Sequence, residues 1–246
     1  MKQLPRFIIR REDIDENHVA RIDGDEMRHL RDAARLRPGS AIRLLDQFNR
    51  EYVGRIERFS GDAAFVRLLG DACQAVIPYR LTIAAALIKG PRMDFLVEKA
   101  AELGVHELVP LMTARSVLHD PGRERLARWE RLAAAAAKQS LGARQMIIRP
   151  PTTLAELNEA PATGLRLVCE IGGAPLIGLR QLRATRDILL ACGPEGGFNA
   201  EEGAMMRAAG FIPVGLAPNR LRAETAVIAA ASIVVAQLWE AARDQA

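Results

Sequence analysis

The stretch Gly193-Pro194-Glu195-Gly196-Gly197-Phe198 determines how the C-terminal third of this chain is interpreted. It follows an apolar run, residues 188–192, that is typical of a buried strand. Asn199 and Glu202 come next, at the spacing of a helix N-cap and its capping box. Because glycines let backbone amides approach a ligand closely, the segment predicts a nucleotide-binding loop. The alternative is an ordinary strand-to-helix turn with a solvent-facing Glu195.

A second loop, residues 216–225, reads Leu-Ala-Pro-Asn-Arg-Leu-Arg-Ala-Glu-Thr and also separates a strand pattern from a helix pattern. Loops at the carboxyl ends of strands line the ligand crevice of an open α/β sheet, so the two loops are expected to meet. Arg222, Glu224 and Thr225 could contact a ligand there. Glu224 equally suits the positive end of the helix dipole, and both interpretations stay open.

The pattern of predicted secondary structure changes near residue 80, from successive short strands to alternating strands and helices. Residues 1–75 predict a small β-rich unit of the barrel type. Its expected strands are residues 7–9, 41–46, 51–59 and 63–69, with a helical pattern over residues 25–36. A linker is expected at residues 75–79. The later strands are expected at residues 81–88, 105–111, 165–170, 188–192 and 212–216, and the helices at 93–104, 123–141 and 224–242. This alternation predicts an α/β fold, a mostly parallel sheet with helices on both faces.

The composition indicates a globular protein that handles a polyanion. Of 246 residues 49% are apolar, and the net charge of +4 arises from residues 76–150, which carry 12 basic and 7 acidic side chains. A basic patch favours RNA, although a solvated surface is an equal alternative. Lys89, Arg92, Arg115 and Arg144 flank predicted strand or helix ends and are the candidates for phosphate contacts. Taken singly, each could be an ordinary surface charge.

Several classes of site are not expected. The chain has no P-loop motif and no Gly-x-Gly-x-x-Gly after an early strand. Its four histidines show no metal-ligand spacing, so no metal is predicted. The cysteines, Cys73, Cys169 and Cys192, are odd in number and widely spaced, which argues against a disulfide framework, and the last two are expected to pack in the core.

No membrane segment is predicted either. The longest apolar stretch, residues 226–238, is too short to span a bilayer. The first residues lack the apolar core of a signal peptide, which favours a cytoplasmic location.

Three motifs in order resemble one known family. They are Lys89-Gly-Pro-Arg-Met-Asp-Phe-Leu-Val-Glu-Lys-Ala-Ala-Glu-Leu-Gly104, the glycine-rich stretch Gly193-Pro-Glu-Gly-Gly-Phe198, and Leu221-Arg-Ala-Glu-Thr-Ala226. Together with Gly24-Asp-Glu-Met-Arg-His-Leu30 they resemble the RsmE family, which comprises SPOUT-class methyltransferases of 16S ribosomal RNA. The resemblance spans nearly the whole chain.

The resemblance implies a PUA-like β-barrel RNA-binding domain in residues 1–75 and a SPOUT methyltransferase domain with a C-terminal trefoil knot in residues 76–246. It implies a homodimer that uses S-adenosyl-L-methionine to methylate N3 of one uridine in the 16S rRNA of the small ribosomal subunit. Arg222 and Glu224 would lie near the methyl group or the target base. The implied cofactor-binding residues are Leu190, Gly193, Pro194, Glu195, Gly196, Gly197, Leu216, Ala217, Asn219, Leu221, Arg222 and Thr225.

The chain departs from the family pattern at two places. Ala217 and Asn219 stand where the family usually has Gly and Arg, and Arg220 could replace the missing arginine. The acids that the family carries before its central arginine are replaced in residues 135–140. Two alternatives therefore remain: a SPOUT methyltransferase acting on another RNA position or on a ribose 2′-OH, and a non-catalytic RNA-binding ribosome-assembly factor.

Overall fold

A computed structural model of the chain describes residues 4–46, 50–70, 73–74, 79–116, 120–140, 145–159 and 164–243. The chain divides into two compact units, each with its own core. The first comprises Met1–Val76 together with Lys138–Gln145, and the second comprises Ile77–Ala137 together with Met146–Ala246. The expected linker falls almost wholly on residues 75–78, which lie outside the described residues.

The first unit is a mixed β-sheet with one short helix. Its elements are β1 (Arg6–Ile8), β2 (Val19–Ile22), α1 (Gly24–Arg28), which continues as a π-helical turn (His29–Ala33), β3 (Ala41–Leu45), β4 (Arg50–Ser60), β5 (Ala63–Leu68) and β6 (Cys73–Gln74). The strand order is β1-β3-β4-β5-β2, with β6 also paired to β4. Among the described strands of this first unit, β1 and β3 pair in parallel and all other pairs are antiparallel.

Alternation of apolar and polar side chains builds the core of this sheet. On β4, Tyr52 and Ile56 are buried while Val53 and Arg55 point outward, as expected for a sheet with one solvated face. The predicted strands of this unit are confirmed within two residues at each end. Strand β2 was not predicted, and its ladder partner β5 lies more than forty residues later in the chain. Closure into a PUA-like barrel stays a prediction.

The second unit alternates strands and helices. Its elements are β7 (Arg80–Ala86), α2 (Pro91–Glu102), β8 (Glu107–Met112), α3 (Gly122–Gln139), β9 (Ile147–Ile148), β10 (Thr152–Thr153), α4 (Leu154–Glu159), β11 (Leu165–Pro175), β12 (Asp187–Cys192), α5 (Ala200–Ala208), β13 (Ile212–Gly215) and α6 (Ala223–Arg243). The strand order is β10-β8-β7-β12-β11-β13, with β9 paired to β8. Every pair among these described strands is parallel.

Helices cover both faces of this parallel sheet, as predicted. On β7, Leu81 and Ile83 pack with α2, α3 and α6 in the larger apolar cluster. Ala84 points to the opposite face, where α4 and α5 supply Leu157 and Met206 to a second cluster. Burial on both sides explains why β7 and β8 are nearly continuous apolar runs in the sequence.

Strand β11 extends beyond its predicted end at residue 170. Its register against β13 shifts between Cys169 and Ala174, so the intervening residues form a bulge. Gly173 lies within this bulge, where an added Cβ would come within 2.7 Å of the Val214 backbone. A bulge of this kind re-aims the chain at the end of a strand, and its neighbours form the site described below.

The final helix, α6, is long and apolar. Residues 223–241 have a mean hydropathy of 1.3 and by length and composition could cross a membrane. The expectation that the apolar stretch 226–238 is too short to span a bilayer therefore does not apply to the whole helix. Val227, Ala231 and Val234 pack in the large cluster, as residues of a core helix do. The start of the helix is buried only on one side, since Thr225 is exposed. The trefoil knot stays a prediction.

We expect Gly173→Ala to lower the free energy of unfolding by about 1–3 kcal/mol, because the new methyl group would overlap the backbone of β13. Gly203→Ala in α5 is the matched control. There the added methyl group meets only the flexible Arg207 guanidinium, at 3.3 Å, and helix propensity should raise stability by about 0.5–1 kcal/mol. Urea unfolding followed by circular dichroism measures both changes. Equal stability of the two variants would contradict the close packing at the bulge.

Candidate functional site

A cavity of about 310 Å³ opens at the carboxyl ends of β11, β12 and β13. The glycine-rich loop that follows β12 forms one wall, and the loop that follows β13 forms a second. The sequence predicted that these two loops meet. Of the predicted cofactor-binding residues, nine line it: Gly193, Pro194, Glu195, Gly196, Gly197, Leu216, Ala217, Asn219 and Leu221. Its size is that of a small-ligand site.

The glycine-rich loop is a tight turn that leaves little room for side chains. The Gly197 amide donates to the Pro194 carbonyl at 2.8 Å, and Gly197 has a φ of +67°, which favours glycine. A Cβ on Gly193 would lie 3.2 Å from the Phe198 ring. The glycines therefore let the backbone itself form the wall of the cavity.

Helix α5 begins immediately after this loop and has the predicted capping box. The Asn199 side chain accepts from the Glu202 amide at 2.7 Å, and the Glu202 carboxylate accepts from the Asn199 amide at 2.8 Å. The other oxygen of the buried Glu202 carboxylate accepts from the Ala114 amide at 2.7 Å. Glu202 thereby joins the chain after β8 to the start of α5, a contact between distant segments that no local pattern predicts.

Arg115 extends this connection to the glycine-rich loop. Its Nη1 donates to the Gly196 carbonyl at 2.6 Å, and its side chain lies so close that a Cβ on Gly196 would be 3.2 Å from Cδ. The backbone around Arg115 is held by a buried Thr113–Ser116 hydrogen bond of 2.9 Å. One of the predicted RNA contacts therefore also supports the loop.

Arg92 supports the same loop from α2. Its guanidinium pairs with the Glu195 carboxylate and lies 3.9 Å from Oε2 of Glu224. Glu224 is 7% exposed, and its Oε2 has no hydrogen-bond partner among the described residues. A buried carboxylate oxygen without a hydrogen bond beside a ligand-sized cavity is costly, which points to a polar partner supplied from outside.

The backbone amide of Glu195 has the largest effect on its carboxyl group and lowers the pKa. Burial opposes this effect, and the hydrogen bond and charge of Arg92 then lower the pKa further, with a smaller contribution from Arg222. Glu195 is accordingly a carboxylate at neutral pH. Glu195 lines the cavity, where its carboxylate suits a ligand that carries positive charge.

The remaining predicted residues, Glu224 among them, do not line the cavity. Leu190 is fully buried in the core beneath it, whereas Arg222 and Thr225 are exposed at the start of α6. The Arg222 carbonyl accepts from the Ala226 amide at 2.8 Å and so begins the helix. Lys89 is exposed beyond the end of β7, and Arg144 lies outside the described residues.

Sequence reasoning missed one wall of the cavity. Strand β11 contributes Glu170, at the start of its bulge. Glu170 pairs with Arg207 of α5 at 3.6 Å, and both residues line the cavity. The signal available was position, because β11 is a parallel neighbour of β12 and its carboxyl end must lie at the same edge. The other missed lining residues are Val168, Cys169, Ile171, Cys192, Phe198, Asn199, Ala200, Gly203, Val214 and Ala226, whereas Arg220 and Ala223 lie in the predicted second loop and line the cavity as well.

Comparison with known proteins agrees with this architecture. A family model described as an RNA methyltransferase domain matches residues 76–235. The ribosomal RNA small subunit methyltransferase E of Synechocystis sp. is 31% identical, over 90% of this chain and 74% of its own length. The protein of that name from Mycobacterium bovis is 28% identical, over 92% of this chain and 90% of its own length.

Solved structures give the same result. A ribosomal RNA small subunit methyltransferase E from Neisseria gonorrhoeae, bound to S-adenosyl methionine, has a TM-score of 0.82 at 28% identity and covers 94% of this chain and 96% of its own. A Legionella pneumophila structure in complex with the cofactor SAM has a TM-score of 0.79 at 26% identity and covers 96% and 98%. The predicted α/β fold and the family resemblance are confirmed.

We expect Arg92→Ala to raise the pKa of Glu195, because the substitution removes a hydrogen bond and a positive charge that favour the carboxylate. Carbon-detected NMR titration of the glutamate carboxyl groups measures the shift. The control is Arg183→Ala, which removes an exposed arginine that pairs with Glu240 near the other end of α6. An unchanged pKa in Arg92→Ala would show that Arg92 does not interact with Glu195 in solution.

Proposed function

The chain belongs to the RNA methyltransferase family that includes the ribosomal RNA small subunit methyltransferase E proteins, and we propose that it methylates N3 of a uridine in 16S rRNA of the small ribosomal subunit, with S-adenosylmethionine as the methyl donor. The observation that carries this proposal is the cavity between the two C-terminal loops. It combines a backbone wall of glycines with the carboxylates of Glu170 and Glu195.

The residues of the cavity fit a bent, positively charged nucleoside. When bound, S-adenosylmethionine supplies an electrophilic methyl group on a sulfonium centre. Gly193, Gly196 and Gly197 allow close backbone approach, since a Cβ at the first two would already be 3.2 Å from neighbouring side chains. Apolar lining such as Leu216 and Leu221 excludes water. Leu190 supports the floor from below, and Thr225 is proposed to reach the ligand from the start of α6.

Arg222 and Glu224 are proposed to act on the acceptor base. The uracil N3 must lose its proton while negative charge develops on the neighbouring carbonyl oxygens. Arg222 is exposed beside the cavity and could stabilise that charge. Glu224 has a buried carboxylate oxygen without a hydrogen bond, so it can accept the proton or orient the base. Alignment of donor and acceptor supplies much of the rate acceleration.

The RNA contacts are proposed to come from both units. Residues 1–75 would be the PUA-like RNA-binding domain and residues 76–246 the SPOUT domain. Lys89 is an exposed cation at the carboxyl edge of the sheet, where Arg92 and Arg115 also lie. Phosphate contacts by these three residues and by Arg144 would position the strand, and the target base would have to leave its stack to enter the site.

We also propose a homodimer that acts in the cytoplasm. Helix α6 supports the dimer, because it carries an exposed Trp239 and half-buried apolar residues, including Ile228 and Ile233, that the described part of the chain does not fully cover. Exposed apolar surface of this kind marks association sites.

The test is methylation in vitro of small subunits reconstituted on unmodified RNA, with free 16S RNA in parallel. We expect one methyl group, recovered as 3-methyluridine by nucleoside mass spectrometry, and saturable binding of S-adenosylmethionine by calorimetry. Methylation of another base or of ribose would overturn the assigned position. A protein that binds RNA but not the cofactor would be a non-catalytic assembly factor.

We expect Arg222→Ala to slow single-turnover methylation by about 10²-fold with cofactor binding retained, as happens when one charge-stabilising group is lost. Arg183→Ala is the control, since Arg183 pairs with Glu240 near the opposite end of α6. If Arg222→Ala reacts at the wild-type rate with bound RNA, the proposed role of Arg222 is wrong.

A further inference from the structure

Two cysteines lie side by side in the wall of the cavity. The parallel pairing of β11 with β12 places Val168 opposite Ala191, so the next residues along both strands, Cys169 and Cys192, are neighbours. The Cys192 thiol donates to the Cys169 sulfur at 3.3 Å, and both residues line the cavity. The proposed methyl transfer uses neither thiol.

The geometry allows these two thiols to be joined. Neighbouring strands lie about 4.8 Å apart, which is within the separation of about 4.4–6.8 Å that disulfide-linked Cα atoms adopt. The sulfurs are 3.3 Å apart and need to approach to a bond length of about 2.05 Å. Closing this gap requires the two residues to move toward each other.

The two thiols differ in reactivity. The hydrogen bond to Cys169 and complete burial raise the pKa of Cys192. Cys169 is half-buried and lines the cavity, so it is the more accessible of the two. Since the thiolate is the attacking species, Cys169 is the residue that an oxidant entering the cavity meets first.

We propose that Cys169 and Cys192 are a redox modification site, at which a low-molecular-weight disulfide such as oxidised glutathione forms a reversible cross-link that weakens cofactor binding. The Cys169 thiolate attacks one sulfur of the oxidant, forms a mixed disulfide and releases one thiolate. Cys192 then transfers its proton to the thiolate released in the first step and attacks the Cys169 sulfur, which releases the second half of the oxidant as a thiolate. The protein is oxidised by two electrons and the small disulfide is reduced by two.

The position of the pair links the bond to the cavity. Cys192 directly precedes Gly193, the first residue of the glycine-rich loop, and Cys169 directly precedes the bulge of β11. Even a Cβ on Gly193 would lie 3.2 Å from Phe198, so a shift of Cys192 is expected to move the loop. The effect on S-adenosylmethionine rests on the proposed function, whereas formation of the cross-link does not.

The test uses the Cys73→Ala variant, which removes the one remaining cysteine, at a position outside the cavity. After exposure to oxidised glutathione we expect a mass lower by two hydrogen atoms and a Cys169–Cys192 peptide on mapping. Calorimetry should show cofactor affinity reduced about tenfold and restored by dithiothreitol, within the usual range of coupling between two sites. By the same reciprocity, bound cofactor should slow the cross-linking.

Two further variants identify each thiol by its product. Addition of Cys192→Ala should trap one glutathione on Cys169, because the resolving thiol is gone. Addition of Cys169→Ala should leave Cys192 unmodified, because it is buried.

The outcomes separate the two hypotheses. Reduced protein that does not bind the cofactor would refute the proposed function, and mass spectrometry would still report on the cross-link. If the reduced protein binds the cofactor, two results would overturn the redox site. One is that the cross-link does not form, and the other is that the oxidised protein binds the cofactor with equal affinity.

Discussion

The site depends on one buried carboxylate, that of Glu202. Its two oxygens accept hydrogen bonds from the backbone amides of Asn199 and Ala114, which belong to segments more than eighty residues apart. An unpaired backbone amide in this position would cost about 1–3 kcal/mol, so the pairing is strongly favoured. It fixes the start of α5 against the chain after β8. Because that chain carries Arg115, the same carboxylate indirectly determines where the glycine-rich loop lies.

Arginines of this protein have a structural task that charge alone did not reveal. Arg92 and Arg115 reach the glycine-rich loop from two different elements, one through a carboxylate and one through a carbonyl. An arginine fork can hold a loop and still present nitrogen atoms to a phosphate. Arg92 and Arg115 therefore support the glycine-rich loop, and the same two side chains are the ones proposed to contact RNA.

The sequence predicted those parts of the fold that local pattern determines. The apolar runs of β7, β8 and β12, and the Asn199 and Glu202 capping box, are local signals, and the structure contains them. Strand β2 and the bulge of β11 depend on partners distant in sequence, so no local pattern predicts them. The same limit hid the β11 wall of the cavity, whereas both C-terminal loops were identified because each follows a recognisable strand. The family resemblance supplied the cofactor and the substrate, which periodicity could not.

The order of strands also governs when the protein can become active during its synthesis. Strand β7 pairs with β12, although about 100 residues separate Arg80 from Asp187. Such non-local pairing delays folding until both partners have left the ribosome. The helix that follows the second loop of the cavity comes later still, at Ala223. A nascent chain consequently has no complete cavity until the start of this helix has been made, so that a shorter copy has no finished site in which to hold the methyl donor.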